Sequence, residues 1–122
     1  MSPRFDACLV EGIGLFNRRQ FFEAHEVWED AWRESTGEPA IFLQGLIQIA
    51  AAFVKLQRRQ PRGMAALLDA GADKLRPIPN RRYRVDHAAL LAALPAWHQA
   101  AERMMAGGAP DDDSLLPQLS YE

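Results

Sequence analysis

A chain of 122 residues and 13.7 kDa has room for one core and a radius of gyration of roughly 14 Å. Hydrophobic residues at 48% and charged residues at 25% exclude a disordered or fibrous chain, and a net charge of −2 excludes a generally basic nucleic-acid protein. The single cysteine, Cys8, allows no internal disulfide, and the stretch from Met1 to Asp6 lacks the apolar segment of a signal peptide. No apolar run reaches the roughly 20 residues of a membrane helix, so the expectation is a soluble, cytoplasmic protein with no membrane partner.

Alanine and leucine far outnumber valine and isoleucine, and no stretch alternates with a period of two. Both facts favour helix throughout. Ser2 as N-cap and Pro3 at the first helical position open a helix that carries Phe5, Cys8, Leu9, Gly12, Ile13 and Phe16 at helical spacing. A second helix is predicted from Phe21 to Ser35, stopped at Gly37. The third, over 40–59, has no formal charge between Ala40 and Val54 and is apolar nearly all round, which places it at the centre of the domain. Pro61 opens a fourth helix reaching Leu75, and residues 76–85, with two prolines and four arginines, form a loop. Asp86 caps a stretch that Pro95 is expected to divide into a short helix, 86–94, and a separate or kinked one, 95–106. The predicted fold is thus an all-α bundle of five or six helices. One domain is expected over 1–108, followed by an extended, loosely held acidic tail over 109–122.

The chemistry-bearing residues concentrate in Phe21-Phe22-Glu23-Ala24-His25-Glu26-Val27-Trp28-Glu29-Asp30-Ala31-Trp32. At about 100° per residue, His25 and Glu29 lie roughly 40° apart, with Phe22 and Trp32 on the same side and Glu26 at its edge. The apolar third helix carries Gln44 and Gln48 four residues apart, in line with Lys55. Buried amides and carboxylates are costly unless paired. The two stripes are therefore expected to meet in a polar pocket of His25, Glu26, Glu29, Gln44 and Gln48, walled by Trp28 or Trp32. The same spacing also suits a purely structural network, with His25 bonded to Glu29 one turn away.

His-Glu-x-x-Glu at 25–29 is similar to the zinc-protease pattern His-Glu-x-x-His, but Glu29 stands where the second histidine belongs. No metal and no cofactor are expected. Cys8 has apolar or small neighbours and belongs to the core. His87 and His98 are expected at the surface or at a cap. Charge is divided between an acidic segment, −5 over 23–38, and a basic one, +7 over 55–84. Arg76, Arg81, Arg82 and Arg84 surround Tyr83 in the proline loop, a combination that can grip phosphates and stack a base. Pairing with the acidic segment or tail is the competing reading, and nucleic-acid binding is not favoured.

Phe16-Asn17, the Phe-Glu-Ala-His-Glu block with Trp28, Glu29 and Trp32, and Leu43-Gln44-Gly45-Leu46-Ile47-Gln48-Ile49-Ala50-Ala51-Ala52 together resemble the bacterial and archaeal family called domain of unknown function 309. The likeness covers roughly residues 5–76. It implies a small all-α domain and no particular activity, and it does not reach the arginine loop or the tail. The leading functional expectation is a binding or interaction domain whose pocket takes a small polar ligand or a partner's side chain. The alternatives are a metal-assisted or His-based hydrolase or transferase, with His25 as general base oriented by Glu29, and weak nucleic-acid association through 76–84.

Overall fold

The first helix begins as its sequence directs. Ser2 Oγ accepts the Phe5 N–H at 3.1 Å, and Pro3 sits where no N–H is needed. In this computed structural model, which describes residues 2–110 and 112–122, five helices follow in chain order: α1 Pro3–Asn17, α2 Phe21–Arg33, α3 Gly37–Gln57, α4 Pro61–Leu75 and α5 His87–Met105. Met1 and Asp111, the first residue of the acidic triplet, lie outside the described residues. Among the described residues the fold is all-α, with a 3₁₀ turn at Asp113–Leu115 and one isolated antiparallel bridge between Val85 and Tyr121.

α3 is the central helix. Phe42, Leu43, Leu46, Ile49, Ala50, Ala52 and Phe53 are fully or almost fully buried, and α2 and α4 pack along its two sides. By length and composition α3 could cross a bilayer, contrary to the reading that no stretch here is long enough; in this fold most of it is core. It begins at Gly37 (φ +67°), which ends the preceding link and starts the next helix at once. Close approach on the α4 side depends on two glycines. A Cβ at Gly45 would lie 2.8 Å from the Leu75 side chain, and one at Gly71 would lie 2.8 Å from the Gly45 carbonyl.

α1 and α2 are joined by a tighter device. The Trp28 ring is wholly buried against Gly12, and its Nε1 donates to the Leu9 carbonyl at 3.2 Å. Phe16, Phe21 and Phe53 complete an aromatic cluster beneath it, with Phe16 and Phe21 edge to face at 5.0 Å.

Two expectations require correction. Pro95 does not divide the last helix: α5 runs unbroken from His87 to Met105. Pro95 deprives the Leu91 carbonyl of its helical donor, but Leu90, Leu94, Trp97, Ala100 and Ala101 are all buried on one continuous face, and that burial outweighs about 3 kcal/mol of helix cost. The tail is extended but not loose. Leu116 and Leu119 join the core, and the Asn17 side chain both donates to the Leu119 carbonyl (2.9 Å) and accepts its N–H (2.8 Å). Asp86 N–H donates to Ser120, and Glu122 N–H to Arg84, closing the tail against the arginine loop.

His87, expected at the surface or at a cap, is the first residue of α5 but only 1% exposed, and it donates from Nε2 to the Ile78 carbonyl at 2.8 Å. It holds the buried underside of the loop, with Phe42 edge-on to its ring. Tyr83 is also buried and donates its hydroxyl to Glu38 Oε1 at 2.8 Å.

Replacing Gly12 by alanine is predicted to destabilise the fold by about 2–3 kcal/mol, because a Cβ there overlaps the immobile Trp28 indole. Urea melts would show it. A neutral or stabilising effect, as alanine's helix preference of about 1 kcal/mol would give on its own, contradicts the packing. Burial, then the Glu38 hydrogen bond, pushes the Tyr83 phenol up from 10.0 to about 12. With the folded value above the unfolded one, this contribution to stability is intact below about pH 10 and is lost as the pH climbs toward 12. Spectrophotometric titration should show one of the two tyrosines ionising late, and Tyr83→Phe should remove that phase. Ionisation of both tyrosines near the ordinary value would contradict it.

Candidate functional site

The rotation of α2 decides which residues face the solvent. Phe21, Ala24, Trp28 and Ala31 form its buried stripe. At about 100° per residue, Phe22, His25, Glu29 and Trp32 then fall within one arc beside that stripe. Phe22 is 43% and Trp32 39% exposed, whereas the Phe5, Phe16, Phe21, Phe42, Phe53, Trp28 and Trp97 side chains are buried.

His25 is half-buried on this face. Its Nε2 donates to Glu29 Oε1 at 2.6 Å, which fixes the ring, and its Nδ1 lies 3.3 Å from the Phe22 carbonyl. Glu29 Oε2 accepts from Arg33 at 3.1 Å, so both carboxylate oxygens are engaged. With Nε2 on Glu29 and Nδ1 against the Phe22 carbonyl, both ring nitrogens are engaged within α2, so the pair as it stands holds the ring in place and turns neither nitrogen outward as a general base would. Glu26 is exposed and faces outward, sharing a shallow concavity of about 320 Å³ with His25, Val27, Glu29, Asp30 and Arg33, all from α2.

On α3, Ile41, Gln44, Gln48, Ala51 and Lys55 fall within an arc of roughly 80°. This is the stripe that the flanking helices leave uncovered: Ile41 is exposed, and the other four are half-buried. Phe22 and His25 share a cavity of about 160 Å³ with Ala51, Val54, Lys55 and Arg58, and the Arg58 guanidinium lies 6.0 Å over the Phe22 ring. At this end, then, α2 and α3 face one another through Phe22 and His25 on one side and Ala51, Val54, Lys55 and Arg58 on the other.

The two sets expected to close on one another in a single pocket are therefore neighbours across a trough. The two cavities that His25 lines contain neither glutamine. Gln48 Oε1 accepts from Lys74 of α4 at 2.9 Å, a partner that spacing within α3 could not reveal. No described side chain bonds the Gln44 amide. The trough has α3 as its floor, α2 as one wall and α4 as the other, where the Lys55 chain lies across Gly63, 3.2 Å from where a Cβ would stand. Phe22 stands at one end, and Ile41 is the exposed residue with which the α3 stripe begins at the other.

The remaining candidates resolve by their partners. Arg76 pairs with Asp73, Arg81 with Asp86 and Glu122, and Arg82 with Glu38, while Arg84 stacks 4.9 Å over Tyr121. The arginine loop is thus consumed by the fold. Burial pushes the half-buried Cys8 thiol up, away from a reactive thiolate. Among the described residues no three His, Cys, Asp or Glu side chains gather as a metal ion would require.

A second cleft, of about 310 Å³ between α4 and α5, was not anticipated. His98 reaches Glu102 at 3.0 Å on its own helix and Asp69 at 3.3 Å across it, above Leu68, Leu91 and Leu94. His98 and Glu102 repeat the four-residue spacing of His25 and Glu29, and that repetition was the available signal.

No curated protein is similar enough to the chain to match it. Residues 9–67, which contain α2, α3 and every residue of the trough floor, match the family model described as Domain of unknown function (DUF309). The motifs that build this trough are thus also the ones through which the chain resembles the DUF309 family.

Proposed function

We propose that this chain is a small cytoplasmic binding domain, and that its ligand or partner side chain is received in the trough between α2 and α4. The observation that carries this reading is the exposure of Phe22 and Trp32 on the face that also bears the His25–Glu29 pair. Burying a large aromatic side chain stabilises a fold by about 1.5–3 kcal/mol. Phe22 and Trp32 stay partly exposed on this one helix face, while the other seven Phe and Trp rings are packed away, and they leave apolar surface there for a ligand to cover. The polar floor, with the Gln44 amide still open to a partner, adds directional hydrogen bonding to that apolar rim.

Nitrogen-15 NMR of the whole chain against a collection of small polar compounds tests the reading. Compounds that bind should perturb the amides of Phe22, His25, Trp32 and Ala51. The double variant Phe22→Ala, Trp32→Ala should bind them at least tenfold more weakly, about 1.4 kcal/mol, with its melting temperature little changed. Binding that maps to the α4–α5 cleft, or that survives in the double variant, overturns the reading.

A further inference from the structure

The cations of this chain are not distributed evenly with respect to their partners. Arg4, Arg33, Arg76, Arg81 and Arg82 hold carboxylates at 2.7–3.1 Å. None of those lies at the end of the bundle where α3 finishes and α4 begins. There, among the described residues, Lys55 and Arg58 face no carboxylate: Lys55 Nζ donates to the neutral Gln60 amide at 3.1 Å, and Arg58 rests over the Phe22 ring. Arg59 and Arg62 follow within the next seven residues and make no ion pair with any described residue, although Arg59 shares a cavity with Asp113. Of the acids on the facing helix, Glu29 already has one oxygen on His25 and the other on Arg33, and the exposed Glu23 and Glu26 make no ion pair with any described residue.

Lys55 and Arg58 line the same cavity as the exposed Phe22 ring, over a floor of Ala51 and Val54. Its volume of about 160 Å³ suits one six-membered ring, since a dry cavity of about 150 Å³ takes a benzene. Two unpaired cations beside a ring-sized apolar slot call for a ligand with about two negative charges next to a small apolar body. A phosphate monoester carries about −1.5 to −2 at pH 7, and a guanidinium beside an ammonium offers it both a forked and a point contact.

We propose that the Phe22 end of the trough is a binding site for a small phosphate monoester, its phosphate between Lys55 and Arg58 and its apolar body against Phe22. This rests on the trough being the binding surface and adds the class of ligand.

Phenyl phosphate, phenol, benzoate and inorganic phosphate, each titrated into the full chain by NMR, separate the elements. Phenyl phosphate should shift Phe22, His25, Ala51 and Lys55 saturably, and bind at least tenfold more tightly than the other three. Added sodium chloride should weaken it. Lys55→Gln with Arg58→Gln should cost tenfold or more at an unchanged melting temperature, and Phe22→Ala should bring phenyl phosphate down to the level of inorganic phosphate. Phenol binding as tightly as phenyl phosphate would overturn the anion assignment and leave the trough intact as a binding surface. Benzoate binding more tightly would overturn the phosphate in favour of a carboxylate. Inorganic phosphate equalling phenyl phosphate would mean an adventitious ion only. A response to none of the four overturns the proposal, while compounds of other chemistry that still perturb Trp32 and Gln44 would keep the broader reading.

Discussion

The contact between the Trp28 indole and Gly12 governs the rest of the structure. A ring of that size fits between two helices only where the facing helix has no side chain, and the Nε1 bond to the Leu9 carbonyl sets its direction. Once Trp28 points inward, the rotation of α2 is determined, and with it the outward placement of Phe22, His25, Glu29 and Trp32. The site is therefore a consequence of packing on the neighbouring face of the same helix. Polar groups that would be costly in the core remain at the half-exposed margin, where His25, Glu29 and Arg33 satisfy one another.

Charge follows a similar division. At the end of the bundle that holds the arginine loop, guanidinium groups are matched to Asp73, Asp86, Glu38 and Glu122, and they fasten the loop and the tail to the helices. At the opposite end Lys55 and Arg58 are left without acids. A fold under selection for stability alone gains little from either arrangement, because exposed ion pairs contribute at most about 1 kcal/mol each. What the asymmetry does change is the set of groups beside the Phe22 cavity, where two cations lack carboxylate partners, and hence the kind of molecule drawn to it.

Much of this was legible in the chain itself. Ser2 and Pro3, Pro61, Asp86 and the uncharged run from Ala40 to Val54 carry local or compositional signals, and each marks an element that the structure contains. What escaped depends on contacts distant in sequence. Gln48 was matched by periodicity to α2, yet its bond goes to Lys74, 26 residues away on α4. The rule that proline ends a helix failed at Pro95, because a continuous buried face from Leu90 to Ala101 outweighs one lost hydrogen bond. The composition of the tail suggested looseness, whereas Leu116, Leu119 and the Asn17 amide, 102 residues from its partner, hold it down. His87 gave no local sign of burial, since its role is to bond the underside of a loop nine residues earlier.

Hydrogen exchange of the three indole N–H groups tests the rotation of α2 most directly. With Trp28 fully buried and bonded to Leu9, and Trp32 39% exposed in the arc beside the stripe, the Trp28 indole proton should exchange orders of magnitude more slowly than that of Trp32. Assignment by single Trp→Phe variants would distinguish the signals. A protected Trp32, or a Trp28 that exchanges as fast as Trp32, would mean that α2 presents a different face, and the trough as described would not exist.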